Sequence, residues 1–241
     1  MTTLTEPIAT EQAAAETPAH SCPAEDILRR LGSDKESGLT TTQARENLRR
    51  FGPNALAEPP PTPAWRQFLG QFEEPVVWLL LGAGAIAAAL HEWADLIAIS
   101  AIVVLNALLG FFQQRKAEKA LSALRRLSAP TAKVVRDGAP SVLPAHELTP
   151  GDLVVLEAGD QVPADVRLVG GFGLRVTEAS LTGESTPAGK DALAILSPTA
   201  PLGDRCNMAY LGTVVATGKA SGVVVATGMS TELGRIAGLL R

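Results

Sequence analysis

The chain is 241 residues long and sets 21 basic side chains against 25 acidic ones, a formal charge of −4 at neutral pH. That near balance argues against a nucleic-acid binder held by phosphate contacts. Hydrophobic residues make up 46% but aromatics only 4%, and charged residues, at 19%, fall below the usual quarter, so the apolar content comes from Ala, Leu and Val.

The two cysteines, Cys22 and Cys206, lie far apart with no CxxC and no Cys/His cluster, which indicates neither a disulfide framework nor a structural zinc site. Residues 1–23 open without a basic start or an apolar core, so they are no secretory signal and are expected to be a disordered tail. Pro23 to Gly32 predicts a short helix with Ile27, Leu28 and Leu31 on one face and Gly32 as its stop. A second helix opens at Thr40, where Gln43 completes a capping box, and ends at Phe51-Gly52-Pro53-Asn54. Pro59, Pro60, Pro61 and Pro63 read as a stiff extended linker.

Trp65, Phe68, Leu69 and Phe72 recur at helical spacing and predict an interfacial helix. Val76 to Leu90 and Leu96 to Phe112 carry no charge and are joined by the polar His91 to Asp95. Each run is slightly short of the ~20 residues that span a bilayer, but their flanks extend them, and a membrane hairpin outweighs a buried soluble one. Arg115, Lys116, Lys119, Arg125 and Arg126 crowd the exit of the second run while the tip has no basic residue, so both ends of the hairpin are expected in the cytoplasm. The second helix should continue as a cytosolic stalk through Ala117, Ala120, Leu121, Leu124 and Leu127 to a stop at Pro130.

From Thr131 the period changes. Ala132 to Arg136 meets an Asp137-Gly138 turn; further strands are expected at Leu153–Leu156, Val166–Val169, Leu174–Val176, Leu211–Ala216 and Ser221–Ala226. Short strands punctuated by Gly, Pro and Asp predict a compact β domain, a sandwich or distorted jelly roll. Thr231 to Leu240 reads as helical.

No Ser/His/Asp arrangement is indicated, since the three histidines sit in the tail (His20), at the hairpin tip (His91) and in a polar loop (His146), and neither common phosphate-binding Gly loop occurs. The informative stretch is Glu178-Ala179-Ser180-Leu181-Thr182-Gly183-Glu184-Ser185, a strand end followed by a Gly and a carboxylate on a projecting loop. Upstream stands Gly159-Asp160-Gln161-Val162-Pro163-Ala164-Asp165; downstream stand Asn207 to Thr213 and Gly222 to Met229.

Together these stretches resemble the P-type ATPases, ion pumps that pass through an aspartyl-phosphate. Thr182 to Ser185 is similar to the family's TGES loop, Gly159 to Asp165 to its GDxxPAD element, and Gly38 to Asn54 to the cation-pump N-terminal domain. The stalk run around Asn106 to Ala120 and Ser128 to Val134 looks like the calcium-pump group. Pro187-Ala188-Gly189-Lys190 departs from the pattern, where many relatives have Val after the Pro and a larger residue before the Lys.

The resemblance implies an α+β membrane protein: a tail over 1–23, a helical N-terminal region over 24–62, an interfacial helix and transmembrane hairpin over 63–113, a stalk over 114–130, an all-β actuator domain over 131–229 and a helix over 230–241 leading toward a third membrane helix. It implies that Glu184 positions water for aspartyl-phosphate hydrolysis, with Thr182, Gly183 and Ser185 completing the catalytic loop and no metal ligand in this chain. It implies as partners a lipid bilayer, a transported cation, and the phosphorylation and nucleotide domains and later membrane helices of the same pump, with Mg and ATP in the complete pump and no nucleic acid. The plasma membrane is the expected location. No DKTGT or TGDGxND segment is present, so the chain is expected to be incomplete as a pump. The competing expectation is a membrane-anchored, non-catalytic β domain acting as an adaptor or regulator.

Overall fold

A computed structural model describes residues 17–57, 63–70, 75–127 and 130–239. They divide into two compact units, one drawn from Met1–Ala57 with Pro130–Arg241 and the other from Glu58–Ala129.

The first unit is built on a seven-stranded antiparallel sheet: β1 (Thr131–Arg136), β2 (Ala139–Pro144), β3 (Leu153–Glu157), β4 (Asp165–Thr177), β5 (Ala188–Gly189), β6 (Met208–Ala209) and β7 (Val214–Ala226). The order is β2-β1-β3-β7-β4-β5, with β6 also on β4. Strand alternation buries Ala132 and Val134 of β1, Val154 and Leu156 of β3, Val166 and Leu168 of β4, and Ala220 and Val224 of β7 in one core. The opposite face is covered as well: Leu153, Val169 and Val223 pack with Ile27 and Leu28 of helix α1 (Ala24–Arg30). Leu153 to Leu156 is an unbroken apolar run for this reason, since both faces of β3 are buried.

Helix α2 (Thr41–Phe51) begins with the expected capping box, Thr40 Oγ1 accepting from the Gln43 amide at 3.2 Å and Gln43 Oε1 accepting from the Thr40 amide at 2.9 Å. The chain then delivers the buried Asn54 to the sheet. Its amide nitrogen donates to the carbonyls of Ala145 (2.9 Å) and Pro163 (2.7 Å), and its oxygen accepts from the Gly228 amide at 2.8 Å. One short side chain thereby joins three segments far apart in sequence.

Three expectations are corrected. Residues 1–16 lie outside the described residues, but the rest of the predicted tail is ordered: Ala19–Ser21 form a 3₁₀ turn and His20 is buried. The cause is Arg167, whose buried guanidinium donates to the carbonyls of Ala19 and Cys22 (3.2 Å each) and of Leu168 (2.7 Å). Val166–Val169 and Leu174–Val176 are parts of one strand, β4, which continues through irregular pairing near Gly170 and Phe172. The strand predicted from Leu211 begins only at Val214, because the Leu211 amide donates to Asp165 and the Gly212 amide to the Val162 carbonyl, which makes a turn. Strand β2 was not foreseen.

The second unit comprises α3 (Ala64–Gly70), α4 (Pro75–Ala89) and the 35-residue α5 (Trp93–Leu127). Helices α4 and α5 pack side by side, with Gly84 facing Ile99 and Leu96. Phe68 of α3 meets Phe111 edge-on at 6.2 Å. Within α5, Trp93–Ala117 is long and apolar enough to cross a membrane, and α4 is a shorter apolar helix. Phe72 and most of the proline linker lie outside the described residues.

Candidate functional site

The loop from Thr182 to Ser185 is assembled by its neighbours. Strand β4 ends opposite Val214 and the chain makes one helical turn, α6 (Ala179–Thr182). The Glu178 carbonyl accepts from the Leu181 amide (2.9 Å), the Thr182 amide (3.0 Å) and the Thr182 hydroxyl (3.1 Å). Gly183 then takes a left-handed conformation, φ 79° and ψ −5°, which ends the turn without a Cβ penalty. The Glu184 amide donates back to Thr182 Oγ1 at 3.3 Å, so this hydroxyl donates to one side of the turn and accepts from the other.

Thr182, Gly183, Glu184 and Ser185 are all exposed. Among the described residues the Glu184 carboxylate has no hydrogen-bond or ion-pair partner, which leaves both oxygens available. The loop is a projection. A cavity of about 370 Å³ in this unit is lined by His20, Asp165, Arg205, Tyr210 and Glu232 among others, and by none of the four loop residues.

At the base of the loop, β5 pairs with β4, Ala188 opposite Val176 and Gly189 opposite Arg175. Lys190 follows, and its ammonium lies 2.6 Å from the Glu178 carboxylate, with the two side chains only 1% and 4% exposed. The Lys190 ammonium also sits 6.0 Å from the centre of the Tyr210 ring. Reading the sequence missed this pair. Two opposite charges flank the loop, but only the pairing of β4 with β5 brings them together.

The Gly159 to Asp165 element works as scaffold. Val162 and Ala164 are fully buried. Asp165 accepts from the Leu211 amide at 2.9 Å and, through its other oxygen, from the Glu232 amide at 2.8 Å, at the start of helix α7 (Glu232–Leu239). Burial pushes the Asp165 carboxyl up to about 6, against the pull of those two amides. On the surface Lys133 joins Glu157 (2.6 Å) and Asp160 (3.1 Å), and Lys133 and then Lys219 hold the Glu157 carboxyl down at about 2. His146 lies exposed beside Glu147, and among the described residues no His, Cys, Asp and Glu group is arranged to hold a metal ion.

The sequence matches two family models, "Cation transporter/ATPase, N-terminus" over residues 19–87 and "P-type ATPase actuator domain" over residues 126–241. It is 49% identical over 222 residues to the "Probable cation-transporting ATPase F" of Mycobacterium tuberculosis, a match covering 92% of this chain and 24% of that protein. It is 43% identical over 215 residues to the "Calcium-transporting ATPase" of Bacillus subtilis, covering 89% of this chain and 24% of the relative. It is 42% identical over 207 residues to the "Sodium/potassium exporting P-type ATPase cta3" of Schizosaccharomyces pombe, covering 85% and 20%. The chain thus spans about a quarter or less of the length of these relatives. These matches favour the pump over an adaptor, and the chain belongs to the P-type ATPases, of which it carries the cation-transporter N-terminal region and the actuator domain.

Proposed function

We propose that this chain is the dephosphorylating arm of an ATP-driven cation pump and that Glu184 is its catalytic carboxylate. The observation that carries the proposal is the exposed, unpartnered Glu184 at the tip of a loop whose backbone is internally bonded. A projecting carboxylate suits a reaction whose other half is on another domain. The substrate is an aspartyl-phosphate on the pump's phosphorylation domain. Glu184 accepts a hydrogen bond from the attacking water and aligns it with the phosphorus, while the Thr182 hydroxyl, the left-handed Gly183 and Ser185 set the tip's shape. Phosphoryl transfer responds mainly to in-line placement and charge control, and a carboxylate that also takes the water's proton contributes ~10² to 10⁴-fold. ATP and Mg belong to the complete pump and supply the phosphoryl group and its charge neutralisation.

Helices α4 and α5 are proposed as a transmembrane hairpin. The 25 residues Trp93–Ala117 amount to about 37 Å of helix, enough for a hydrocarbon core of ~30 Å. Ile97, Ile102, Leu105, Leu109 and Phe112 are exposed, which suits a lipid-facing wall. The basic residues after Phe112 favour cytoplasmic ends and the plasma membrane is the proposed site. The later membrane helices, the cation and the distorted jelly-roll description of the β domain belong to the same proposal, and the calcium-pump group is its preferred branch. Rotation of the β domain would move the hairpin through α5 and so couple hydrolysis to the ion path.

The test is complementation. The chain is produced together with the remaining domains of the pump, and steady-state ATP hydrolysis is compared with that of the Glu184→Gln form. The proposal expects turnover with the native loop and its loss with Gln; equal turnover would remove Glu184 from the reaction.

A further inference from the structure

Between Glu178 and Lys190 the chain leaves the sheet, forms the Glu184 loop and returns. The return pairs with β4 through two residue pairs, Val176 with Ala188 and Arg175 with Gly189; the Lys190 amide then donates to the Leu174 carbonyl and the Asp191 amide to the Cys206 carbonyl, both at 2.9 Å. So short a ladder defines its register weakly, and a slip of one residue turns every side chain to the other face. The buried ion pair removes that freedom. Lys190 reaches Glu178 at 2.6 Å, over the ring of Tyr210, in this register. In a slipped one, two nearly fully buried charges would lose each other.

We propose that Glu178 and Lys190 are positioning residues for Glu184: their ion pair locks the β4–β5 register and thereby fixes where the loop tip points. The inference rests on the assignment of Glu184 to dephosphorylation. The energetics favour a registry role over a stabilising one. Desolvating two charges offsets most of their attraction, and apolar replacement of a buried pair is commonly neutral or stabilising. Between Gly183 and Pro187 the tip is tethered from its two ends, by Thr182 Oγ1 on one side and by Arg175 donating to the Pro187 carbonyl at 2.9 Å on the other. Its direction therefore follows its base.

The test uses a chain in which both native cysteines, Cys22 and Cys206, are Ser and a nitroxide is attached at the exposed neighbouring position, Thr186→Cys. The informative variant is Glu178→Leu with Lys190→Met, beside the single Glu178→Gln. Thermal unfolding and the nitroxide spectrum are read on the chain, and phosphoenzyme decay is read on the unlabelled variants with the rest of the pump. The proposal expects the apolar double variant to unfold no earlier than its parent, yet to give a fast-motion spectrum and decay slowed ~10-fold or more. A parental nitroxide spectrum in the double variant would overturn it, as would parental decay in the double variant when Glu184→Gln is slow. If Glu184→Gln itself decays normally, the assignment of Glu184 has failed, and the spectrum alone then decides whether the pair holds the loop.

Discussion

The carboxyl of Asp165 receives amides from two elements and is nevertheless held up at about 6 by burial. A folded-state pKa above the unfolded value near 4 favours the protonated form, so this group's contribution to stability is full below about pH 4 and is lost as pH rises through about 6. Its size is about 3 kcal/mol. Glu157 opposes it in sign, since its lowered pKa gives a contribution present above the usual glutamate value and lost as pH falls toward 2. Asp165→Asn is expected to remove the decline in stability between pH 4 and pH 6 that the native chain owes to this carboxyl. Unfolding of both forms across that range checks it, and parallel pH profiles would contradict it. At this scale the sequence shows Glu184 through its motif, whereas the burial of Asp165, Glu178 and Lys190 depends on strands that meet only in the fold.

The N-terminal region is seated on the sheet by a close approach of backbone to backbone. Gly38 has φ 67°, and a Cβ there would stand 2.0 Å from the Val135 carbonyl oxygen. Next to it Leu39 bridges to Arg136, and the Asp137 amide donates to the Leu39 carbonyl at 3.0 Å. Gly38→Ala is expected to destabilise the unit by about 3 kcal/mol, strain in the left-handed region adding to displacement of β1. Thr40→Ala, which removes only the helix cap, is expected to cost about 1 kcal/mol. Chemical denaturation of the two variants checks the order, and equal losses would contradict the docking role of Gly38. The capping box, the Asp137-Gly138 turn and the apolar run of β3 were legible because each signal is local. The lengths of β4 and β7 were not, because their glycines read as strand ends while the long pairing between the two strands carries both through.

Each unit has its own optical reporter: Trp65, Trp78 and Trp93 all belong to the helical unit, and the single tyrosine, Tyr210, to the β unit. The proposed topology makes a sided prediction. With native cysteines replaced, His91→Cys should react with a membrane-impermeant maleimide from the outside of sealed cells. Cys22 and Cys206 of the native chain should react only after the membrane is opened. Labelling of position 91 and of the native cysteines from the same side would contradict the hairpin. The two apolar runs and the basic residues beyond them were legible as composition, which needs no tertiary information. Whether one exposed carboxylate completes a site on another domain is read from single-turnover decay of the hydroxylamine-sensitive phosphoenzyme in the complete pump. Glu184→Gln is expected still to form this intermediate and to lose it ~10² to 10⁴-fold more slowly than the native form; decay at the native rate would remove Glu184 from the reaction.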